Sequence, residues 1–485
     1  MSKGFGIAIL VAVLAVSLWY YRNYSHTTSK LASAEDAEQF YGIVKVFEKW
    51  NSVLNRAQLE EKRNFLCGTN INLDLIVPVS EFVSNLNVKA IPTAANYGVI
   101  SSLDQFLATF SNFMSKGAAA ERFVSDANVF KQITDAALNS PSHTLHIGGN
   151  AALIAEFLTN FDNIDIRLFG PVGPKLRPLM SKKLFDDLVE EESTNPDEIH
   201  LIVEYKAEEN LGDSVAPIAN RFIVHHDISN SELVHVKGFL DEITKPDHDL
   251  SWAVWSGLHF LDSVNRDTYL PLLELFRSSL QGKHHKAPLH LELASMANDE
   301  FVQELYNLVV QYVDSLGLND QELMFLTKSI GAPEINSNGP VDKITDAMVW
   351  ILKDVANRQG PHRHLTRIHM HSHRFHAVAI RLGSGWSGAA EGLLHGAFTA
   401  ATKACRSDAA NLFDFSRPKF SNGTVLPHYT DRPPVVTWRD GDIRVFVVPT
   451  ILCKKPVGTV GLGDAISAAS LVFTEKKLET EGERN

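Results

Sequence analysis

Cysteine is scarce in this chain: Cys67, Cys405 and Cys453 are its only three in 485 residues. So few cannot build a disulfide framework. Two readings stay open: one bridge plus a free thiol, with Cys405–Cys453 the pair to test, or three buried thiols. Positive charge is also in deficit. A net charge of −12 argues against a nucleic-acid-binding surface and is compatible with solubility. Repeats and low-complexity tracts are missing, and so are a phosphate-binding GxxxxGK[ST] loop and a protein-kinase HRD set. What is present is a globular composition, 45% hydrophobic and 21% charged. A chain of 485 residues exceeds the usual single core, so two lobes or one large α/β domain with an insertion are expected.

Long apolar runs are confined to the N-terminus. Lys3 precedes "FGIAILVAVLAVSLWYY", about 17 residues at the short limit for a membrane span, and Arg22 follows. Residues 1–22 therefore read as a signal peptide or signal anchor. The bulky Trp19, Tyr20 and Tyr21 leave no small-x-small cleavage site, which favours an anchor and membrane association through residues 5–21. The polar flank over 23–38 speaks against a buried core helix. Sequons at Asn23 and Asn422 add weak support for secretory entry.

Past about Asp36, helical and strand-like stretches alternate. "DAEQFYGIVKVFEKWNSVL" and "NAALIAEFLTNF" have helical spacing, while "NFLCGTNINLDLIV", "HTLHIGG", "NIDIRLFG", "EIHLIVEY" and "LHLELAS" read as strands. "DEFVQELYNLVVQYVDSLG" puts Phe301, Leu305, Leu308, Tyr312 and Val313 on one helical face, and "VVTWRDGDIRVFVVPT" reads as a hairpin around Asp440-Gly441. This alternation implies βαβ units and a mostly parallel, twisted sheet, whose ligands sit beyond the carboxyl ends of the strands.

Four strand ends carry candidate chemistry. In "GTVGLGDAIS", glycines let backbone amides approach a ligand at a helix start, which makes an anion site. The acid there, Asp464, is either a helix N-cap or the acceptor of a proton from a group attacking that anion, as in phosphoryl transfer. In "LHLELAS" the period of two puts His290 and Glu292 on one face, where they would meet a cation or metal-bound water unless the strand is a solvent-facing edge. In "GLNDQEL", Asn319 and Glu322 could share a hydrated Mg²⁺ or could form a helix capping box. Asn70 and Asp74 in "GTNINLDLI", with Gly148, Gly149 and Asn150 in "IGGN", offer the amides and carboxylate that a ring of sugar hydroxyls needs, or turn and cap roles instead.

In this order the stretches "GTNINLDL", "GGNAALIA", "NRFIVHHD", "HDLSWAVWSGLHFLD", "LHLELAS", "GLNDQEL" and "GTVGLGD" resemble the ADP-dependent sugar kinases of the ribokinase-like superfamily, and within them the animal glucokinase branch. The resemblance covers about residues 40–475. It implies a three-layer α/β/α large lobe and a smaller α/β lid lobe within a kinase domain over 39–480, the lid drawn from roughly 73–100 and 151–225. It implies Asp464 as the base that deprotonates the sugar 6-hydroxyl, with the amides of Gly461 to Asp464 as the anion hole. Mg²⁺ would be positioned by Glu292, Glu322, Asn319 and Asp464, largely through water. Asn70, Asp74, Gly149, Asn150 and Glu121 of "GAAAERF" would meet glucose, and Arg221, Thr459 and Val460 the nucleotide phosphates. The implied donor is ADP, the implied partners glucose and ADP, the implied state a monomer, and the implied location the endoplasmic reticulum or secretory pathway.

Two rivals remain at this level: a ribokinase-type kinase using ATP or another sugar, and a catalytically silent sugar- or nucleotide-binding protein. A related branch acts on fructose 6-phosphate and would need basic residues such as Lys283 and Lys286 in "GKHHKAP". A GxGD intramembrane protease is excluded, because it needs many membrane spans and this chain has one apolar segment far from the motif.

Overall fold

The computed structural model describes residues 62–477, apart from 89, 186–195, 246–248, 282–286, 360–364, 407–412, 428, 430–433 and 458–459. The N-terminal apolar run, the helical stretch over 36–54, the Asn23 sequon, Lys283, Lys286 and Thr459 lie outside the described residues. Among the described ones, no helix is long and apolar enough to cross a membrane.

A nine-stranded sheet organises the chain. Six of its strands run parallel: Ile164–Phe169, Arg63–Thr69, Trp252–Ser256, Leu289–Glu292, Ser315–Asn319 and Arg367–His371, in that spatial order. Phe375–Arg381, Ile443–Pro449 and Val436–Asp440 extend it antiparallel, the last two as the expected hairpin, with Gly441 at φ +61° in its turn. Alternation sorts the two faces. Leu289, Leu291, Leu316, Leu318, Ile368 and Met370 enter one core, covered by helices that include Arg266–Leu280, Asp299–Leu308 and Val341–Gln359. Phe65, Cys67, Trp252 and Val254 enter a second core on the other face, under the helices Asn150–Leu158 and Leu462–Val472. Helix, sheet and helix make the three layers that were expected. The helix starting at Asp299 is shorter than its spacing suggested: it stops at Leu308, and Tyr312 belongs to a separate 3₁₀ turn. That turn lets the chain reverse into the strand Ser315–Asn319 with Val313 buried on the way.

A second, six-stranded sheet runs in the order Val99–Ile100, Ala120–Val124, Asn220–His225, Ile199–Tyr205, Asn72–Pro78 and Thr144–Gly148. Its boundaries differ from the expected 73–100 and 151–225. Residues 101–148 contribute two of its strands and two of its helices, whereas Asn150–Leu158 and Ile164–Phe169 belong to the large sheet. The exchange has a simple cause. The strand Ile164–Phe169 pairs in parallel with Arg63–Thr69, and a right-handed crossover from one to the other must carry its helix on the large sheet. Leu75, Val77, Leu201, Val203, Phe222 and Val224 bury one face of the small sheet against the helices Val79–Leu86, Leu103–Ser115 and Ala127–Leu138. The other face sets Asp74, Glu121, His200, Arg221 and His225 among Ile76, Ile202 and Ile223.

Cys405, at the end of the helix Ala389–Cys405, is bridged to Cys453 on the strand Ile451–Cys453, and Cys67 is a buried thiol. The bridge closes a separation of 48 residues just before the segment leading to Asp464. Loop-closure entropy makes such a crosslink worth about 4 kcal/mol. Cys405→Ser should accordingly lower the urea midpoint of the purified chain and steepen the slope, as the released loop expands the unfolded state. An unchanged midpoint would mean that strand pairing alone orders this region.

Candidate active site

Asp464 lies in the first turn of the helix Leu462–Val472, with only 6% of its surface exposed. It is not the cap: Gly461 holds that position at φ +63°, and no side chain caps the first-turn amides. An added Cβ at Gly461 would also come 3.1 Å from Lys403 Nζ, which donates to the Gly461 carbonyl at 2.9 Å. At Gly463 a Cβ would approach the His371 ring to 2.8 Å. Gly463 is therefore required by its close neighbour and Gly461 by its backbone angle.

The carboxylate of Asp464 accepts from Asn150 Nδ2 at 2.7 Å, and Asn150 Oδ1 accepts from Asn70 Nδ2 at 3.1 Å. Asn150 opens its own helix after Gly149, at φ +85°, where a Cβ would strike the Asn70 carbonyl at 2.5 Å. Two helix N-termini thus converge on one point, and their dipoles favour negative charge there. Burial still pushes Asp464 up to about 6, helped by the charge of Glu292 and opposed by Asn150, Lys403 and His371.

The inner face of the neighbouring strands supplies the other groups. Leu289–Glu292 is a central parallel strand, not an edge, so His290 and Glu292 are buried, on the face where Arg367 reaches Ser470 of the helix Leu462–Val472. Glu292 Oε2 faces His290 Nε2 at 2.9 Å, and its Oε1 faces His371 Nε2 at 3.4 Å. Burial alone would raise Glu292, but these two imidazoles outweigh it and hold the carboxyl at about 2. Gly317 makes the room, since a Cβ there would sit 2.0 Å from Glu292 Oε2. Glu322 behaves oppositely. Burial, reinforced by the charges of Glu292 and Asp464, pushes it up to about 8. Asn319 and Glu322 form a full capping box on the helix Asp320–Ser329. Both ends of the Asn319 amide are committed to it: Oδ1 takes the Gln321 and Glu322 amides, and Nδ2 donates to Glu322. Of the two readings open for Asn319, the structure shows the capping box, in which it orients Glu322.

Behind Glu292 runs a fully buried chain of donors. Arg367 Nη1 donates to Ser315 Oγ at 2.7 Å, and Ser315 Oγ lies 2.9 Å from His290 Nδ1. Burial keeps the His290 ring neutral and Glu292 can only accept, so Nδ1 is the bare nitrogen that takes the serine proton. His290 Nε2 then carries the hydrogen that Glu292 receives. The orientation of Glu292 is set three side chains away.

The polar face of the small sheet forms the opposite wall. Register places Asp74 beside His200 and His200 beside His225, with Glu121 on the next strand. His200 stands between two carboxylates, Glu121 at 3.3 Å and Asp227 at 3.0 Å. Burial opposes its charge, but both ring nitrogens must donate, and the pKa rises to about 10. His225, stacked 4.8 Å away, is driven down to about 4 by burial and by that charge. Glu121 feels desolvation upward, yet His200, His225 and His259 hold it near 2 with 40% of its side chain open. Asp74, hydrogen-bonded to Asn72 at 2.7 Å, is raised by burial to about 6 and also feels Arg221. Phe260 from the large lobe meets His200 and His225 edge-on, so the two walls face each other.

The ADP-specific phosphofructokinase/glucokinase conserved region matches residues 63–473 of this sequence. The chain belongs to that family. An ADP-dependent glucokinase of Bos taurus is 33% identical over 442 residues, which cover 88% of this chain and 87% of its own. A probable ADP-dependent glucokinase of Caenorhabditis elegans is 31% identical over 491 residues, covering 96% and 94%. Among solved structures, a hypothetical ADP-dependent phosphofructokinase from Pyrococcus horikoshii OT3 shares the fold, with a TM-score of 0.63 at 20% identity over 85% of this chain and 98% of that one.

Of the residues singled out in the sequence, the structure brings Asn70, Gly149, Asn150, Gly461, Gly463 and Asp464 into one contact chain, with Glu292 and Glu322 within electrostatic reach. Asp74, Glu121 and Arg221 share the facing wall, and Val460 is exposed beside Gly461. Sequence reasoning missed His371, Lys403, Arg367, Ser315, His200, His225 and Asp227. The alternating histidines of "RIHMH", and the lone His200 of "EIHLIVEY" ahead of "FIVHHD", were a usable signal, because polar residues inside apolar strands mark a buried polar face. Lys403, inside a helix, gave none.

Removing the Ser315 hydroxyl should strand both Arg367 and His290 Nδ1 in the core, a loss of about 2 kcal/mol. Ser315→Ala is expected to shift the denaturation midpoint accordingly, and Ser315→Thr, which keeps the hydroxyl, to recover most of it. Equal stability of parent and Ser315→Ala would break the proposed donor chain.

Proposed function

We infer that this chain is an ADP-dependent glucokinase, transferring the terminal phosphoryl group of ADP to the 6-hydroxyl of glucose and releasing glucose 6-phosphate and AMP. The observation that carries the mechanism is the buried Asp464 carboxylate, held by Asn150 at the meeting of two helix N-termini. A group poised near 6 is ionised at neutral pH and basic enough to take a proton from an alcohol as it attacks. The glucose O6–H proton passes to Asp464, O6 bonds to the terminal phosphorus, and the bond to the AMP oxygen breaks. The uncapped amides of Leu462 to Asp464 and the nearby Lys403 would take up the charge on the moving phosphoryl group. Arg221, Val460 and Thr459 are proposed for the nucleotide side.

The small sheet's polar face is proposed to receive the sugar and act as a lid, with Asn70, Asp74, Glu121, Gly149 and Asn150 meeting its hydroxyls. Its chemistry suits a neutral sugar. The wall carries Asp74, Glu121 and Asp227 against His200 and Arg221, and this acidic balance would oppose a second phosphate on the acceptor. Glucose is favoured over fructose 6-phosphate on that ground, and the cattle relative, an ADP-dependent glucokinase, supports it.

Magnesium fits the donor set. Glu292, Glu322 and Asp464 raise or oppose one another's charge, which is the condition a hard divalent cation relieves. Among the described residues no three acidic, His or Cys side chains converge closely enough to bind a metal directly. The ion would be held by these carboxylates, largely through water, with Asn319 orienting Glu322, and it would supply neutralisation of the ADP phosphates.

The apolar run at 5–21 and the Cys405–Cys453 bridge together support a place on the oxidising side of the secretory pathway, as in the endoplasmic reticulum.

With glucose and Mg²⁺ supplied, glucose 6-phosphate should form with ADP and not with ATP. Asp464→Asn should keep ADP binding and lose at least about a thousandfold in kcat; retained turnover would remove Asp464 as the base. The pH profile gives a separate check. A base must be deprotonated, so kcat/KM should rise with pH through an inflection near 6. Loss of the Asn150 hydrogen bond, which lowers the Asp464 pKa, should move that limb to higher pH in Asn150→Ala; an unmoved limb would assign the titration to another group.

A further inference from the structure

The sequon at Asn422 lies in a turn whose geometry says more than its three letters. Lys419 and Val425 pair as an antiparallel bridge. Between them, the Gly423 N–H donates to the Phe420 carbonyl at 2.9 Å, and the Phe420 N–H donates to the Thr424 carbonyl at 2.9 Å. Gly423 stands at φ +84°. This is a type I turn followed by a left-handed glycine bulge, a rigid three-residue loop. Asn422, Gly423 and Thr424 are all exposed, and Asn422 Oδ1 accepts the Thr424 N–H at 2.9 Å, which fixes the side-chain amide over the turn. The turn is pinned from below: the Ser421 N–H and hydroxyl both donate to the Asp342 carboxylate on the helix Val341–Gln359.

Phe420, two residues before the asparagine, packs partly on the core and meets Trp438 edge-on at 5.9 Å. Asp342, Phe420, Ser421, Asn422 and Trp438 line a shallow surface hollow of about 350 Å³. An aromatic shelf beside an exposed, rigid sequon suits one ligand class well. The apolar C–H faces of a sugar ring pack on aromatic rings while its hydroxyls stay in water.

We propose that Asn422 is an N-glycosylation site whose first sugar rests against Phe420 and Trp438. The donor class is an oligosaccharide carried on a lipid diphosphate. Asn422 Nδ2 forms a bond to the anomeric carbon, the bond from that carbon to phosphate oxygen breaks, and the lipid diphosphate leaves with the electron pair. The displaced amide proton passes to a base of the transferring enzyme, and nothing is oxidised or reduced. The proposal rests on the secretory reading given above, so its test carries an independent marker of that location.

The full chain, with an Asn-Gly-Thr reporter appended by a flexible linker after Asn485, would be expressed in animal cells. Enzymatic deglycosylation in heavy-oxygen water converts each occupied asparagine to a mass-marked aspartate, which is read peptide by peptide. This also separates Asn422 from Asn23. The mark is expected at Asn422 and at the reporter, and Asn422→Gln or Thr424→Ala should abolish it at this peptide while leaving ADP-dependent turnover unchanged. Phe420→Leu keeps an apolar side chain and the sequon but removes the ring, and should lower occupancy by about twofold or more. A marked reporter with an unmarked Asn422 overturns the site alone. An unmarked reporter and an unmarked Asn422 overturn the secretory reading and the proposal with it. Full occupancy in Phe420→Leu removes the aromatic contact from the proposal.

Discussion

A carboxylate buried at 6% exposure is costly unless something nearby donates to it, and the architecture around Asp464 is arranged to meet that cost. Asn150 gives the direct hydrogen bond, two helix starts point their amides at the same place, and Lys403 and His371 add positive charge close by. These demands explain details that would otherwise look unrelated. Gly149 lets its helix begin against the Asn70 carbonyl, and Gly461 and Gly463 let Lys403 and His371 close on the turn. Were any of the three to carry a side chain, the groups that keep the carboxylate charged would be pushed outward.

The same strands serve core and site because their two faces are kept apart. Leucines and isoleucines on one face of the large sheet pack under helices that include Arg266–Leu280, Asp299–Leu308 and Val341–Gln359, while His290, Glu292, Ser315, Arg367, His369 and His371 occupy the other. The small sheet repeats the arrangement, with Leu201 and Val203 inward and His200 toward the site. A one-residue slip in either sheet would exchange the faces and destroy both functions at once. Packing therefore fixes the register of the chemistry.

Electrostatically, neighbouring groups are driven to opposite ends of their range. Glu292 is held near 2 by two imidazoles while Glu322 is pushed toward 8 by burial and by like charges. On the facing wall, His200 is kept protonated between Glu121 and Asp227 while its stacked neighbour His225 is kept neutral. Separation of this kind presets which groups donate and which accept before any ligand arrives, so little reorganisation is left for the reaction itself.

Much of this was open to reading in the linear sequence. The alternation of strands and helices required a largely parallel sheet, period two put His290 and Glu292 together, glycines announced the turn before Asp464, and Cys405 and Cys453 form the bridge that was the pair to test. These are local patterns, and local sterics and hydrophobic burial are enough to impose them. Tertiary structure decided the rest. Asn150 and Asp464 are 314 residues apart, Arg367 reaches Ser315 across 52 and Ser470 across 103, and Lys403 finds Gly461 across 58. It also moved the boundary of the small sheet, because a parallel partner for Arg63–Thr69 had to come from Ile164–Phe169. It showed Asn319 and Glu322 as a capping box, one of the two roles their spacing had left open, because the helix they begin has amides that need an acceptor. Which donors meet which acceptors depends on how distant segments close on one another, and no local pattern carries that information.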